Sequence, residues 1–332
     1  MGQYWQILNL DTQQTHGFWG KLGEFFTSSA PEILVQDIRI PRKVSFENII
    51  SATQSAYTRQ AEYKSKRLLH RDYQNSDDEL GLEIWIPEGR SLLVDLPPEI
   101  AKLLFGSIDT LRHAICLGLT CKRLLELGLD RIDQLLSMSA AHWAGDRLIC
   151  IGDYARNDDM PPGMLTEEER AFLEDEDIKL YEYARNYSGA TDSRWYWLLA
   201  GDYDFVGQLS PIERAQYRAI VYTADKGVKD AVLCNLSKRE YLRHEAVKAH
   251  GHAGFGNFLL SRICWSSDGS VSMCYEGDIH RGVWAGDRFE IVSIDALEGG
   301  ANSWKDVSDE MGKEMAAIWE SEYGPDWQEQ RS

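Results

Sequence analysis

The chain has 332 residues, 43% apolar and 27% charged, a balance typical of a globular protein and not of a disordered one. Its formal charge of −18 disfavours general binding to nucleic acid or to anionic membranes, because both need a cationic surface. No window approaches the ~18 consecutive apolar residues of a membrane span, and the six cysteines form no CxxC pair, so free thiols in a reducing compartment are expected.

Met1 to Trp5 carries no basic stretch followed by an apolar run. No signal peptide is read there, and the expected location is cytoplasmic or nuclear. The first element is the apolar run Ile7-Leu8-Asn9-Leu10-Asp11, a strand ending in an Asn and a polar turn. Residues 1–30, with 140–160 further on, are read as one interrupted strand unit. Residues 31–91 read as a polar insertion. Its basic residues Arg59, Lys64, Lys66, Arg67 and Arg71 are followed by Asp77-Asp78-Glu79. That pattern is read as a solvated helix and loop in preference to an anion contact.

Residues 92–139 differ in kind. Pro97 and Pro98 suit a first helical turn, where a missing N–H is no loss. Ile100, Leu103, Leu104 and Ile108 then recur at helical spacing. Gly106 and Asp109-Thr110 break the pattern, and Leu111, Ile115, Leu119 and Leu124-Leu125 supply second and third apolar faces. Helices this short cannot bury so many apolar positions among themselves, so the segment is expected to pack on something else.

Leu96-Pro97-Pro98-Glu99-Ile100, Leu103-Leu104-Phe105, Leu111 and Leu119-Thr120-Cys121-Lys122-Arg123-Leu124 fall in the order and spacing of a known family. Over about a tenth of the chain, the segment resembles the F-box family. Leu124 stands where that family usually carries a bulky aromatic. The resemblance implies a three-helix module that docks on a Skp1-like adaptor and so joins a cullin-RING ubiquitin ligase. It also implies that Leu96, Pro97, Ile100, Leu104, Leu111, Ile115, Leu119, Cys121 and Leu124 are contact or packing positions.

Trp-Ala-Gly-Asp-Arg occurs at Trp143–Arg147 and again at Trp284–Arg288, each copy running into an apolar strand. Upstream, Val232-Leu233-Cys234-Asn235-Leu236-Ser237 resembles Ile7 to Asp11. Two shared elements in one order indicate a duplication, with 231–300 as the second unit. Phe258–Trp265 reads as strand-like, and Ser266–Gly269 with Val271–Tyr275 as a β-hairpin. Residues 161–230 read as a helical connection, opened by a capping box at Thr166-Glu167-Glu168-Glu169. Residues 301–332 read as a last helix, with Met311, Met315, Ile318 and Trp319 on one face, and a tail.

Asp146 and Asp287, if brought to one cleft, would suit general acid and base in a hydrolase or ligand-binding protein. A duplicated turn more simply preserves packing, with Asp and Arg paired at the strand entrance. Asp153, Asp158, Asp159, Asp202 and Asp204 do not match an EF-hand loop. His244, His250 and His252 lack H-E-x-x-H spacing. No catalytic residue, cofactor or metal is assigned. The expected architecture is α+β: two related antiparallel strand units with helical insertions, including the F-box-like segment. The expected function is a substrate adaptor whose partners are a Skp1-like protein and a client of unknown identity. The remaining alternative is a structural protein in which the F-box-like helices are buried.

Overall fold

The computed structural model describes residues 2–28, 30–41, 43–69, 93, 95–189, 203–221, 230–250 and 253–330. In chain order they form β1 (Trp5–Asn9), β2 (Gln14–Gly20), α1 (Leu22–Thr27), α2 (Ala30–Ile38), α3 (Phe46–Leu69), α4 (Pro98–Gly106), α5 (Leu111–Leu119) and α6 (Lys122–Ala140). Next come β3 (Leu148–Gly152), α7 (Glu167–Asp175), α8 (Leu180–Tyr183), β4 (Ser188–Gly189), α9 (Tyr203–Gln208), α10 (Pro211–Val221), β5 (Ala231–Asn235) and β6 (Glu240–Arg243). The remainder is α11 (His244–Lys248), α12 (Phe255–Ile263), β7 (Cys264–Trp265), β8 (Phe289–Ser293), β9 (Lys305–Asp306), α13 (Ser308–Tyr323) and α14 (Trp327–Gln330). The fold class is α+β, as expected. Among the described residues no helix is long and apolar enough to cross a membrane.

Two units divide the chain. The first takes Met1–Ile40, Ala140–Trp195 and Gly227–Ser332; the second takes Pro41–Ser139 and Tyr196–Lys226. In the first unit, β1, β3 and β5 are mostly apolar and buried at every residue, so both faces are covered. Central strands of this kind need cover above and below. One sheet has the order β4-β2-β1-β3-β7, the other β8-β5-β6-β9. Both are mixed, because β4, β7 and β9 pair in parallel while the hairpin strands are antiparallel. The core gathers Trp5, Trp143, Trp284 and Trp319, all fully buried, with Phe25, Phe258 and Phe289.

The two sheets share their register and several bonds at corresponding positions. Asn9 pairs with Leu148 across β1 and β3, and Asn235 with Phe289 across β5 and β8. Gln14 pairs in parallel with Ser188, and Glu240 with Lys305. The indole Nε1 of Trp143 donates to Gln14 Oε1 at 2.7 Å, and that of Trp284 to Glu240 Oε2 at 2.6 Å. Trp143 N–H donates to the Asp37 carbonyl near the end of α2, and Trp284 N–H to the Arg262 carbonyl near the end of α12. Each helix then leads into a strand on the other copy's sheet: Arg39 bridges Ile291, and Cys264 pairs with Cys150. Where α2 and α12 meet, a Cβ on Gly256 would lie 2.0 Å from the Pro31 carbonyl oxygen, so only glycine permits the approach.

Several boundaries differ from expectation. The polar insertion read over 31–91 begins at Pro41, because α2 belongs to the first unit as the partner of α12. The connection read over 161–230 is divided: residues to Trp195 stay in the first unit, and Tyr196–Lys226 join the second. The tail read over 301–332 contributes β9 and the buried face of α13 to the second copy. Phe258–Trp265 is helix, not strand, up to Ile263. All nine residues of α12 are buried, so no polar face marks its period. Val271–Tyr275 forms no hairpin strand; the segment instead caps β1, with Gln3 N–H donating to the Ser270 carbonyl and Ser266 Oγ donating to Gln3 Oε1. The capping box at Thr166 is present, but its helix ends at Asp175.

In the second unit, α4, α5 and α6 follow one another with short breaks. Phe105 of α4 is buried where Gly128 of α6 leaves room; a Cβ there would lie 2.3 Å from the Phe105 ring. Gly118 of α5 similarly admits Leu125 and Ile132 of α6. Two arginines of α6 close the turns: Arg123 donates to the Leu96 carbonyl at 2.9 Å, and Arg131 to the Ile108 carbonyl at 2.8 Å. Helix α10 packs along α3 and touches α5, and the Arg112 guanidinium lies 4.0 Å from the centre of the Phe205 ring.

Candidate functional site

In the second unit the F-box-like positions fall into two sets. Leu111, Ile115, Cys121 and Leu124 are buried, and Leu96 and Leu119 are half-buried. The four buried side chains are not free for a partner. Pro97, Ile100 and Leu104 are exposed. Ile100 keeps 43% of its surface, Leu104 38%, and Leu103 between them 69%. Positions i, i+3 and i+4 share one helix face, so these three side chains form an apolar stripe along α4. Ala101 and Phe105 occupy the opposite, buried face. Leu103 has the greatest exposure of the three, although the family pattern draws attention to Leu104. Residues 92 and 94 of the motif's leading edge lie outside the described residues.

In the first unit the two Trp-Ala-Gly-Asp-Arg turns meet. Gly145 N–H donates to the Phe289 carbonyl and Gly286 N–H to the Leu148 carbonyl, both at 2.8 Å, and Arg147 bridges Arg288 in antiparallel register. Asp146 accepts from Asn9 Nδ2 at 2.8 Å, and Asp287 from Asn235 Nδ2 at 2.8 Å. Lys238 Nζ also pairs with Asp287. Burial pushes the Asp146 carboxyl up, although the Asn9 amide opposes this. Each carboxylate is therefore taken up by the Asn that ends the neighbouring strand, which suits a packing lock better than an acid and base pair.

The arginines do not pair with the Asp beside them. Arg147 donates to Asp11 Oδ1 at 2.8 Å and to both oxygens of Glu169, at 3.0 and 2.8 Å. Arg288 reaches the same Asp11, at 2.7 Å. One carboxylate thus joins the two copies. Burial alone would raise Asp11, but the N–H and guanidinium of Arg147 outweigh it and hold its carboxyl low. At the place of Asp11 the second copy has Ser237, whose Oγ accepts from Arg288 N–H.

The acidic and histidine clusters form no metal site among the described residues. Asp153 accepts from Tyr4 N–H, Asp158 pairs with Arg156, and Asp159 with Arg281. Asp202 and His252 lie outside the described residues, as does the Asp204 side chain. His250 stacks on Trp327, and its Nδ1 is 2.8 Å from the Ala246 carbonyl. The six cysteines are free thiols. Sequence reasoning passed over Asp37, a carboxylate in an apolar helix, and the aromatic residues Phe172, Tyr183 and Tyr187. The signal for the aromatic residues was the density of rings within and just after the acidic helix.

Compared with known proteins, the chain matches no family model, no curated protein and no solved structure.

Proposed function

We propose that the chain is a protein-interaction adaptor of F-box type, docking on a Skp1-like partner through the outer face of α4. The observation that carries this reading is the apolar stripe Ile100, Leu103 and Leu104, exposed on α4 while its opposite face and one face of α5 are buried. A single exposed leucine is ordinary, but three adjacent exposed apolar side chains on one helix face make a contiguous patch of the kind that marks an interaction surface. Helix-in-groove recognition uses i, i+3 and i+4 anchors of this kind. The proposed role of the first unit is to hold the client brought to the ubiquitin ligase.

The test is a titration of the whole chain with a purified Skp1-like adaptor by calorimetry. Wild type binds, and Leu103→Asp and Leu104→Asp each weaken binding at least about thirtyfold, as central apolar anchors do. Absence of binding by wild type removes the reading.

A further inference from the structure

In the first unit, the turn after β1 and the helices α7 and α8 enclose a cavity of about 240 Å³. Its floor is apolar, with Leu10 and Leu180 buried. Three aromatic residues line it: Phe172, Tyr183 and Tyr187. Phe172 and Tyr183 have ring centres 5.0 Å apart and planes inclined at 58°. Tyr183 and Tyr187 are 5.6 Å apart and nearly perpendicular, at 83°. Phe172 remains 42% exposed, so the cavity opens to solvent beside it.

The electrostatics of this space point one way. Aromatic faces carry the negative part of the ring quadrupole and attract cations. Glu168 adds a carboxylate to the lining, and among the described residues no Lys or Arg lines the cavity. Glu169, also in the wall, is already engaged by Arg147. Burial pushes the Tyr187 phenol up to about 12, with Tyr183 and Glu169 adding to the rise and the Arg147 guanidinium opposing it, so it stays neutral and adds no charge. A cavity below the roughly 300 Å³ of drug-sized sites suits a headgroup and not a whole ligand. A quaternary ammonium has no N–H to satisfy, so it can lie against the ring faces and the leucine floor without hydrogen bonds.

The duplication supplies an internal control. Leu236, Leu297 and Trp304 stand in the second copy where Leu10, Leu180 and Tyr187 stand in the first. Gln13 and Arg239 share the same left-handed backbone, at φ 51° and 53°. The second copy thus has a cation where Gln13 lines the cavity, and nothing in it corresponds to α7, which brings Phe172 and Glu168. The cavity is an addition to the repeated scaffold and not a by-product of it.

We propose that this cavity binds a methylated ammonium group, caged by Phe172, Tyr183 and Tyr187, with Glu168 as counter-charge. It does not depend on docking through α4, which belongs to the other unit.

The test is calorimetric titration of the whole chain with choline, with free Nε-trimethyl-lysine, and with 3,3-dimethylbutan-1-ol, the uncharged isostere of choline. The ammonium compounds bind saturably, and the isostere is at least about tenfold weaker. Tighter binding of trimethyl-lysine than of choline identifies a protein side chain as the source, and the reverse order a free metabolite; either supports the site. Phe172→Ala weakens choline binding about tenfold while leaving the thermal transition in place, since Phe172 is exposed. Tyr183→Phe keeps the ring and keeps binding. Equal affinity for choline and its isostere, no saturable binding of either cation, or binding indifferent to Phe172→Ala overturns the proposal.

Discussion

Asp37 is buried near the end of α2, and neither of its carboxylate oxygens accepts a hydrogen bond among the described residues. The His142 Nδ1 lies 3.7 Å from Asp37 Oδ1. Burial raises the Asp37 pKa from 3.8 to about 7. The native state therefore keeps a proton that the unfolded chain releases. This contribution to stability is full below about pH 4 and is lost as pH rises to about 7. His16 acts in the opposite sense: burial lowers it from 6.5 to about 4, so its contribution is present above 6.5 and lost as pH falls. Asp37→Asn removes the first effect. The slope of unfolding free energy against pH becomes more positive, by up to about 1.4 kcal/mol per pH unit, between about pH 4 and about pH 7. Denaturant melts across that range check this; an unchanged slope would mean that Asp37 is ionised in the folded protein.

The paired asparagines make a second case at this scale. Asn9 Oδ1 accepts from the N–H groups of Asp11 and Thr12 while its Nδ2 donates to Asp146. Asn235 holds Lys238 N–H and Asp287 in the same way, but Asp287 also has the Lys238 ammonium. Asn9→Ala leaves a partly buried carboxyl without that donor, whereas Asn235→Ala leaves Asp287 paired. Both variants are destabilised by about 1–3 kcal/mol, and Asn9→Ala by the larger amount, as thermal and denaturant melts will read.

The Trp-Ala-Gly-Asp-Arg turns work as elements. Each places its glycine in the left-handed region, at φ 83° for Gly145 and 81° for Gly286. Any side chain there meets backbone strain of about 1–2 kcal/mol. The two sites differ in space: a Cβ on Gly145 meets nothing within 4 Å, whereas one on Gly286 would lie 2.1 Å from Met164 Cγ. Gly145→Ala therefore costs about 1–2 kcal/mol, and Gly286→Ala a further ~1–3 kcal/mol from overcrowding. Equal losses in urea titrations would show that Met164 yields freely. At this scale the turns were readable in the sequence because five identical residues repeat in one order. Helix α12 was not, since all nine of its residues are buried, Asn257, Ser261 and Arg262 included, and no solvent-facing polar stripe marks a helical period.

At the scale of the molecule, the −18 net charge and the apolar stripe on α4 set opposite demands on a partner. A groove that is apolar in its centre and basic at its rim meets both. Raising the salt concentration is therefore expected to slow association with the proposed Skp1-like partner without abolishing it, because rim charges govern the on-rate more than the affinity. Stopped-flow association at two ionic strengths measures this, and an on-rate indifferent to salt contradicts it.

From the sequence by itself came the α+β class, the duplicated strand-and-turn unit and the succession of short helices after Pro97. Local spacing is enough for these, because a helical period or a repeated pentapeptide lies within a few neighbouring residues. Only the tertiary structure decided which leucines of α4 to α6 face outward, that Asp146 and Asp287 are held by asparagines, and that three rings close around one cavity. The reason is separation along the chain. Asn9 meets Asp146 across 137 positions and Arg288 meets Asp11 across 277, and no local pattern carries a contact of that length.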